Sequence, residues 1–202
     1  MPAEVATQCD RFSAVIDGRL VVLDVRKDRY YLAAGAARPA SGAEAGPDSR
    51  GGSQPQMVPA GRAPPRPRAQ QSLWAGAGFS LGAAVASLAC LRRVSRLLEQ
   101  FTFAELVEAV RSAPVRPGRP KLAPRTIVGS FEAIRPLFPR PKICRLDAPA
   151  ICLTLRRHGH AAQLVFGARL EPFAAHCWTE LDGAVVNDAH EKVREFTAVM
   201  EV

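Results

Sequence analysis

The sequence has no CxxC pair, no regular cysteine framework and no apolar run at its N-terminus. Its five cysteines, at 9, 90, 144, 152 and 177, stand singly, which argues against a zinc ribbon and against a disulfide-stapled secreted domain. The opening MPAEVATQCDR lacks the hydrophobic segment of a secretory signal. A reduced, cytoplasmic protein with mostly inert thiols is the expectation. Aromatics make up only 6% of the chain, and the Lys and Arg residues are not interleaved with them. The net charge of +8 therefore favours acidic partners in general, with no pattern for nucleic acid. The His and Cys residues show no metal-ligand spacing, so no metal is expected.

What is present begins with 48% apolar residues in a chain of 202, enough for one large domain or two small ones. Residues 12 to 33, FSAVIDGRLVVLDVRKDRYYLA, place Asp17-Gly18 between two β-rich runs. That is a hairpin signal, and Tyr30-Tyr31-Leu32 returns as a third strand of a small antiparallel meander, occupying residues 1–34. Residues 35–71 hold seven Pro and six Gly and almost no large apolar side chain, the composition of a flexible linker. Residues 73–91 carry no charge over 19 positions, long enough for a bilayer. Ala, Gly and Ser dominate them, however, and Arg92, Arg93 and Arg96 continue the pattern in helical phase with Leu97 and Leu98. A helix buried in the protein or against a partner is expected, not a membrane span. A second amphipathic helix, near 101–114, opens with Thr102 and Glu105 spaced as a capping box. Together 72–125 form a helical connector. From 126 to 202 come helices near 126–138 and 144–157, a Gly159 stop, and strands near 162–170, 174–181 and 184–188: an α+β pattern.

In the 144–157 helix, Cys144, Ala148, Ile151, Cys152 and Leu155 form one apolar stripe. Cys144 stands at the N-terminal tip, where free N–H groups and the helix dipole favour a thiolate. Lys142 and Arg145 add positive charge nearby. Cys152, two turns down, has no such field and reads as a small apolar filler. The strand pair that follows contains His176 and Asp188 around an Asp182-Gly183 turn. A two-residue loop would set Cys177 opposite Asp188. A three-residue loop with a bulge at Gly183 would set His176 opposite Asp188, on one face of the sheet, and this is the register expected. The carboxylate could then orient the imidazole, whose other nitrogen would take the proton of Cys144. His158 and His160 bracket a helix end and His190 lies beside Asp188, with weaker claims on the chemistry. Trp178 reads as core beneath His176.

The block FEAIRPLFPRPKICRLDAPAICLTLRRHGHAAQLVFGARLEPFAAHCWTELDGAVVND, continuing to FTAVMEV, resembles the lasso peptide B proteins over roughly 126–202. Its distinctive parts are the Cys that opens a helix and the VFGAR, PFAAHCW and VVND strands. The resemblance implies a transglutaminase-like, papain-like cysteine peptidase fold with Cys144, His176 and Asp188 as its triad. It also implies removal of the leader from a ribosomally made lasso precursor peptide. A separate asparagine-synthetase-like cyclase would then use ATP to close the ring, with no cofactor in this chain. The N-terminal meander is similar to the start of a PqqD-like winged-helix recognition element. There the leader would add as a strand along Arg29, Tyr30, Tyr31 and Leu32. In that element three helices follow, where this chain has its Pro/Gly-rich stretch. Two other functions stand beside it: an acyl transferase of the same fold with the same nucleophile, and a non-catalytic module, its triad incidental, that delivers the precursor.

Overall fold

Asp17 and Gly18 take positive φ values of 48° and 73°, the requirement of a type I′ turn. They close a two-residue hairpin between β1 (Arg11–Ile16) and β2 (Arg19–Asp24), with Ile16 opposite Arg19. Asp24 then organises the next turn: one carboxylate oxygen accepts the Lys27 N–H at 3.0 Å, the other the Arg11 Nε–H at 3.2 Å. The chain returns as β3 (Arg29–Leu32), with Leu23 opposite Tyr30. The computed structural model describes residues 10–33, 61–62, 71–72, 78–116, 118 and 122–202. Two short strands, β4 (Gly61–Arg62) and β5 (Gln71–Ser72), come from in and beside the stretch expected as a linker. β4 pairs parallel to β1, and β5 parallel to β8 of the second sheet. The rest of 35–71, and with it any continuation into a winged helix, lies outside the described residues.

Helix α1 (Leu81–Gln100) is capped by Ser80, whose hydroxyl accepts from the Ala83 N–H. Its Ala83, Leu91 and Val94 are fully buried, and no described helix is long and apolar enough to cross a membrane. Helix α2 (Phe103–Arg111) starts with the capping box that the sequence suggested: the Glu105 carboxylate accepts the Thr102 N–H at 2.7 Å. Helix α3 (Pro124–Ile134) has proline in its first turn, where a missing N–H costs nothing, and runs into a 3-10 turn at Arg135–Leu137. Helix α4 (Cys144–Arg157) stops at Gly159, which has φ of 86°. Ala148, Ile151, Cys152 and Leu155 of its stripe are at most 1% exposed.

The second sheet has the order β5-β8-β7-β6-β9, from β6 (Gln163–Leu170), β7 (Phe173–Leu181), β8 (Ala184–Val185) and β9 (Thr197–Glu201), with the short helix α5 (His190–Val193) before β9. Leu164, Phe166, Cys177 and Leu181 face the helices, and Val165, Trp178 and Val185 form a second cluster with Val193 and Phe196. The helix-side cluster also takes in Ile16, Val21 and Leu23, so meander and α+β unit share one core.

The β7–β8 register differs from the expected one. Asp182 and Gly183 both take positive φ, 50° and 76°, and Leu181 pairs with Ala184, Glu180 with Val185. Aspartate tolerates the left-handed region, so two residues suffice for a type I′ loop whose twist matches the strands, and no bulge forms. The expected strand over 184–188 shrinks to two residues for a reason that builds the site.

Candidate active site

The last ladder bond between these strands runs from the Val186 N–H to the Thr179 carbonyl, at 2.9 Å. The next position is taken by a side chain: Asn187 Oδ1 accepts the Thr179 N–H at 2.7 Å. With its partner satisfied by that amide, the chain is free to leave the sheet. Asp188 then swings to His176 and accepts a hydrogen bond from its Nε2 at 2.6 Å. Asp188 is held from two more sides, by the Ala189 N–H at 2.9 Å and by Lys192 Nζ at 2.9 Å. The meeting of imidazole and carboxylate thus comes from a bend after Val186, not from cross-strand opposition.

His176 is boxed in by rings. Trp178, two residues on and therefore on the same face, lies nearly parallel at 6.1 Å, and Phe196 lies at 5.1 Å. Opposite His176 across the sheet is Gly167. A Cβ there would meet the Trp178 ring at 2.7 Å and the Thr197 carbonyl at 2.9 Å, so only glycine leaves room for the indole.

Cys144 opens α4, whose N-cap, Ile143, offers no side-chain acceptor, so the first N–H groups stay available. Thr179 Oγ1 donates to the Ala148 carbonyl at 2.7 Å and pins α4 to β7. One helical turn up from Ala148 is Cys144, and two residues up from Thr179 is Cys177. A turn rises about 5.4 Å and two strand residues about 6.7 Å, so the two cysteines are brought together. By strand alternation the Cys177 N–H points the same way as that of Thr179, toward the edge β8 has vacated. The groups that act on the Cys144 thiol are the Cys177 side chain and backbone and the His176 ring. Since Nε2 of His176 is engaged by Asp188, Nδ1 is the nitrogen left for the sulfur.

The electrostatics follow from these contacts. The Cys144 thiol is lowered to about 4, by the Cys177 side chain above all, against the effect of burial, and further by the ring of His176 and the backbone of Cys177. Burial pushes His176 down, but its bonds to Asp188 and Cys144 more than offset this and raise it to about 8. Asp188 falls to about 2: burial opposes ionisation, and the bonds from His176, Lys192 and Ala189 outweigh it. Between about 4 and 8 the pair is thiolate and imidazolium. The Cys144 side chain first, then burial, push Cys177 well up, and it stays a thiol. Lys142 and Arg145, expected to supply positive charge to Cys144, are engaged elsewhere, with Glu132 at 3.4 Å and Asp28 at 2.9 Å.

β3 is the outer strand of the first sheet, with Arg29, Tyr31 and Leu32 exposed. Tyr30 points the other way, edge-on to Phe173 at 6.2 Å. Burial first, then the neighbouring Cys177, Asp28 and Cys144, raise its hydroxyl. Cys152 is a filler in the core, its thiol pushed up to about 12 by burial. His158 is buried at the end of α4, His160 contacts the Leu122 carbonyl at 2.8 Å, and His190 begins α5. Among the described residues no cluster of three or more His, Cys, Asp and Glu could hold a metal.

The family model of the transglutaminase-like superfamily matches residues 84–201. The chain belongs to the transglutaminase-like superfamily. The match starts inside the stretch expected as a helical connector, includes Cys144, His176 and Asp188, and leaves the meander outside. No curated protein and no solved structure gives a significant match to the chain. Members of the transglutaminase-like superfamily are typically Cys-His-Asp enzymes. A thiolate, an imidazolium and an orienting carboxylate so arranged can attack a carbonyl and protonate its leaving group. Cys177, the inward side of Tyr30 and the buried Arg135 described below carry no sequence motif. Only the adjacency of Cys177 to His176 hinted at the first.

Proposed function

We propose that this chain is a cysteine peptidase that removes the leader from a ribosomally made lasso precursor peptide. The observation that carries the reading is the 2.6 Å bond from His176 to Asp188, with Cys144 against the same ring. The likeness of residues 126–202 to the lasso peptide B proteins supplies the substrate class. Cys144 is the nucleophile: its thiolate attacks the carbonyl at the leader–core junction. The oxyanion is met by the uncapped N–H groups at the start of α4. His176 gives its proton to the departing α-amine of the core, leaving a thioester to the leader. Water, deprotonated by His176, then releases the leader as a free acid, and Asp188 keeps the ring oriented throughout. A separate asparagine-synthetase-like cyclase, using ATP, joins the freed amine to an Asp or Glu side chain. The leader pairs along the outer edge of β3, where Arg29, Tyr31 and Leu32 are exposed and Tyr30 anchors the strand to the site. We place the reaction in the cytoplasm, a setting that suits four described cysteines which are all free.

The test is mass spectrometry of a precursor peptide, from a short reading frame beside the gene, mixed with the protein. A leader bearing a free carboxylate is expected, and its loss in Cys144→Ala. Undiminished leader release by that variant would overturn the peptidase reading. A leader found instead as a new amide would assign acyl transfer, which the same fold accommodates.

A further inference from the structure

Ile143 and Arg145, the two sequence neighbours of Cys144, both line a groove of about 510 Å³. Its other walls come from the β2–β3 turn and from the corner between α1 and α2. Its lining is mixed: Phe101, 49% exposed, and Ile143, 47% exposed, are apolar, and Asp28 and Thr102 stand among the cations. Two rim cations are already matched. Arg145 bonds Asp28 at 2.9 Å and lies over the Phe103 ring at 5.0 Å, and Arg26 pairs with Asp10. Lys27 differs: its backbone N–H is tied to Asp24, while its ammonium has no carboxylate partner among the described residues. Apolar side chains beside a cation with no carboxylate partner among the described residues suit a particular chemistry. They take an aliphatic or aromatic side chain with a carboxylate next to it.

We propose that this groove is a specificity subsite for the peptide that reacts at Cys144, taking an apolar residue adjacent to an acidic one. The inference rests on the peptidase reading. An extended peptide advances about 3.3 Å per residue, so a groove beginning one residue from the nucleophile receives a side chain a few positions from the scissile bond. An apolar residue alone would gain from the apolar side chains. The neighbouring carboxylate decides between peptides, because a like charge at the rim is repelled and an opposite one is not.

The experiment uses the full chain and two fluorescein-labelled Gly/Ser peptides that differ at one central position, Leu-Glu against Leu-Lys. Binding is read by anisotropy, and proximity to the nucleophile by protection of Cys144 from iodoacetamide. The Leu-Glu peptide binds roughly tenfold more tightly and is the better protector. Lys27→Met narrows the gap, and Lys27→Glu reverses it. Because only the side chain changes and the turn is held through the backbone N–H, these variants fold, as circular dichroism checks. Equal binding of both peptides, or a preference untouched by Lys27→Glu, overturns the subsite. Failure of a different kind separates the two claims. If iodoacetamide does not prefer Cys144 over the other cysteines, the peptidase reading falls. If Cys144 is labelled normally and no peptide protects it, the subsite alone falls.

Discussion

Replacing Arg135 by methionine tests how the helix that begins with Cys144 is held in place. Arg135 is 2% exposed, yet carries a full charge. Its Nε donates to Asp147 at 2.5 Å, and its two terminal nitrogens donate to the carbonyls of Arg140 at 3.0 Å and Pro141 at 2.8 Å. One guanidinium thus ties the 3-10 turn, the loop that delivers Ile143 and Cys144, and the first turn of α4. Asp147 is three residues from Cys144, on the same side of the helix. Burial already pushes its carboxyl up, and Arg135 holds it partly back. Methionine keeps most of the stem's volume and removes every donor. Breaking a buried ion pair from one side costs about 3–5 kcal/mol. Of this, roughly 2 kcal/mol belongs to the two stranded carbonyls, at about 1 kcal/mol each. The remainder belongs to the unpaired carboxylate and disappears when Asp147→Asn is added. Urea unfolding followed by circular dichroism should therefore rank wild type, then Arg135→Met/Asp147→Asn, then Arg135→Met. A single variant within about 1 kcal/mol of wild type, or a double variant no better than the single, would refute this account.

Three further outcomes follow from the same geometry. The proposed leader release should require the thiolate–imidazolium pair, rising as pH passes about 4 and falling as it passes about 8, and Asp188→Asn should move the falling limb to lower pH because the bond to Asp188 is what raises His176. A pH–rate profile of kcat/KM checks both limbs, and an unmoved alkaline limb in the variant contradicts the assignment. Cys177→Ala should shift the alkylation midpoint of Cys144 upward, since the Cys177 side chain is the largest influence holding that thiol down; an unchanged midpoint means that Cys177 is only filler. Gly167→Ala should destabilise the fold by about 1–3 kcal/mol and displace the indole from beneath His176, because the new methyl meets both a ring and a main-chain carbonyl. Thermal unfolding with Trp fluorescence reads both effects, and a melting temperature equal to wild type rules the clash out.

Local rules made much of the architecture legible. The stripe from Cys144 to Leu155 gave α4 its bounds and its buried face, because helical period and burial agree there. The Asp17-Gly18 hairpin and the capping box at Thr102 are set by residues within a few positions of each other. The β7–β8 register was not legible. Asp182-Gly183 suits a two-residue loop as well as a bulged one, and the sequence holds no cue for choosing unless the tolerance of aspartate for positive φ is weighted heavily. Nor was the proximity of Tyr30 to Cys144, which depends on docking two units through the shared core and the Arg145–Asp28 pair, across a sequence separation of 117. The sequence places positive charge at Lys142 and Arg145 near Cys144, and the structure adds that each is ion-paired, with Glu132 and Asp28. Sequence shows a charge but not its partner.

The hairpin's early end is what allows the three groups to meet. Had the two-residue register continued past Val186, Asp188 would stand opposite Cys177 and the backbone N–H of Cys177 would be consumed by the ladder. His176 would then face Ala189, and Cys144 would lose a donor and the orientation of its base together. Asn187 prevents this by satisfying Thr179 with a side-chain oxygen at 2.7 Å, so the strand can stop without leaving a buried N–H unpaired. Lys192, one turn into α5, then holds Asp188 from outside at 2.9 Å. A carboxylate reached through a bend is also fixed independently of the sheet's twist, by Ala189 and Lys192. The same few residues therefore end a strand, open an edge beside Cys144 and aim the Asp188 carboxylate at His176.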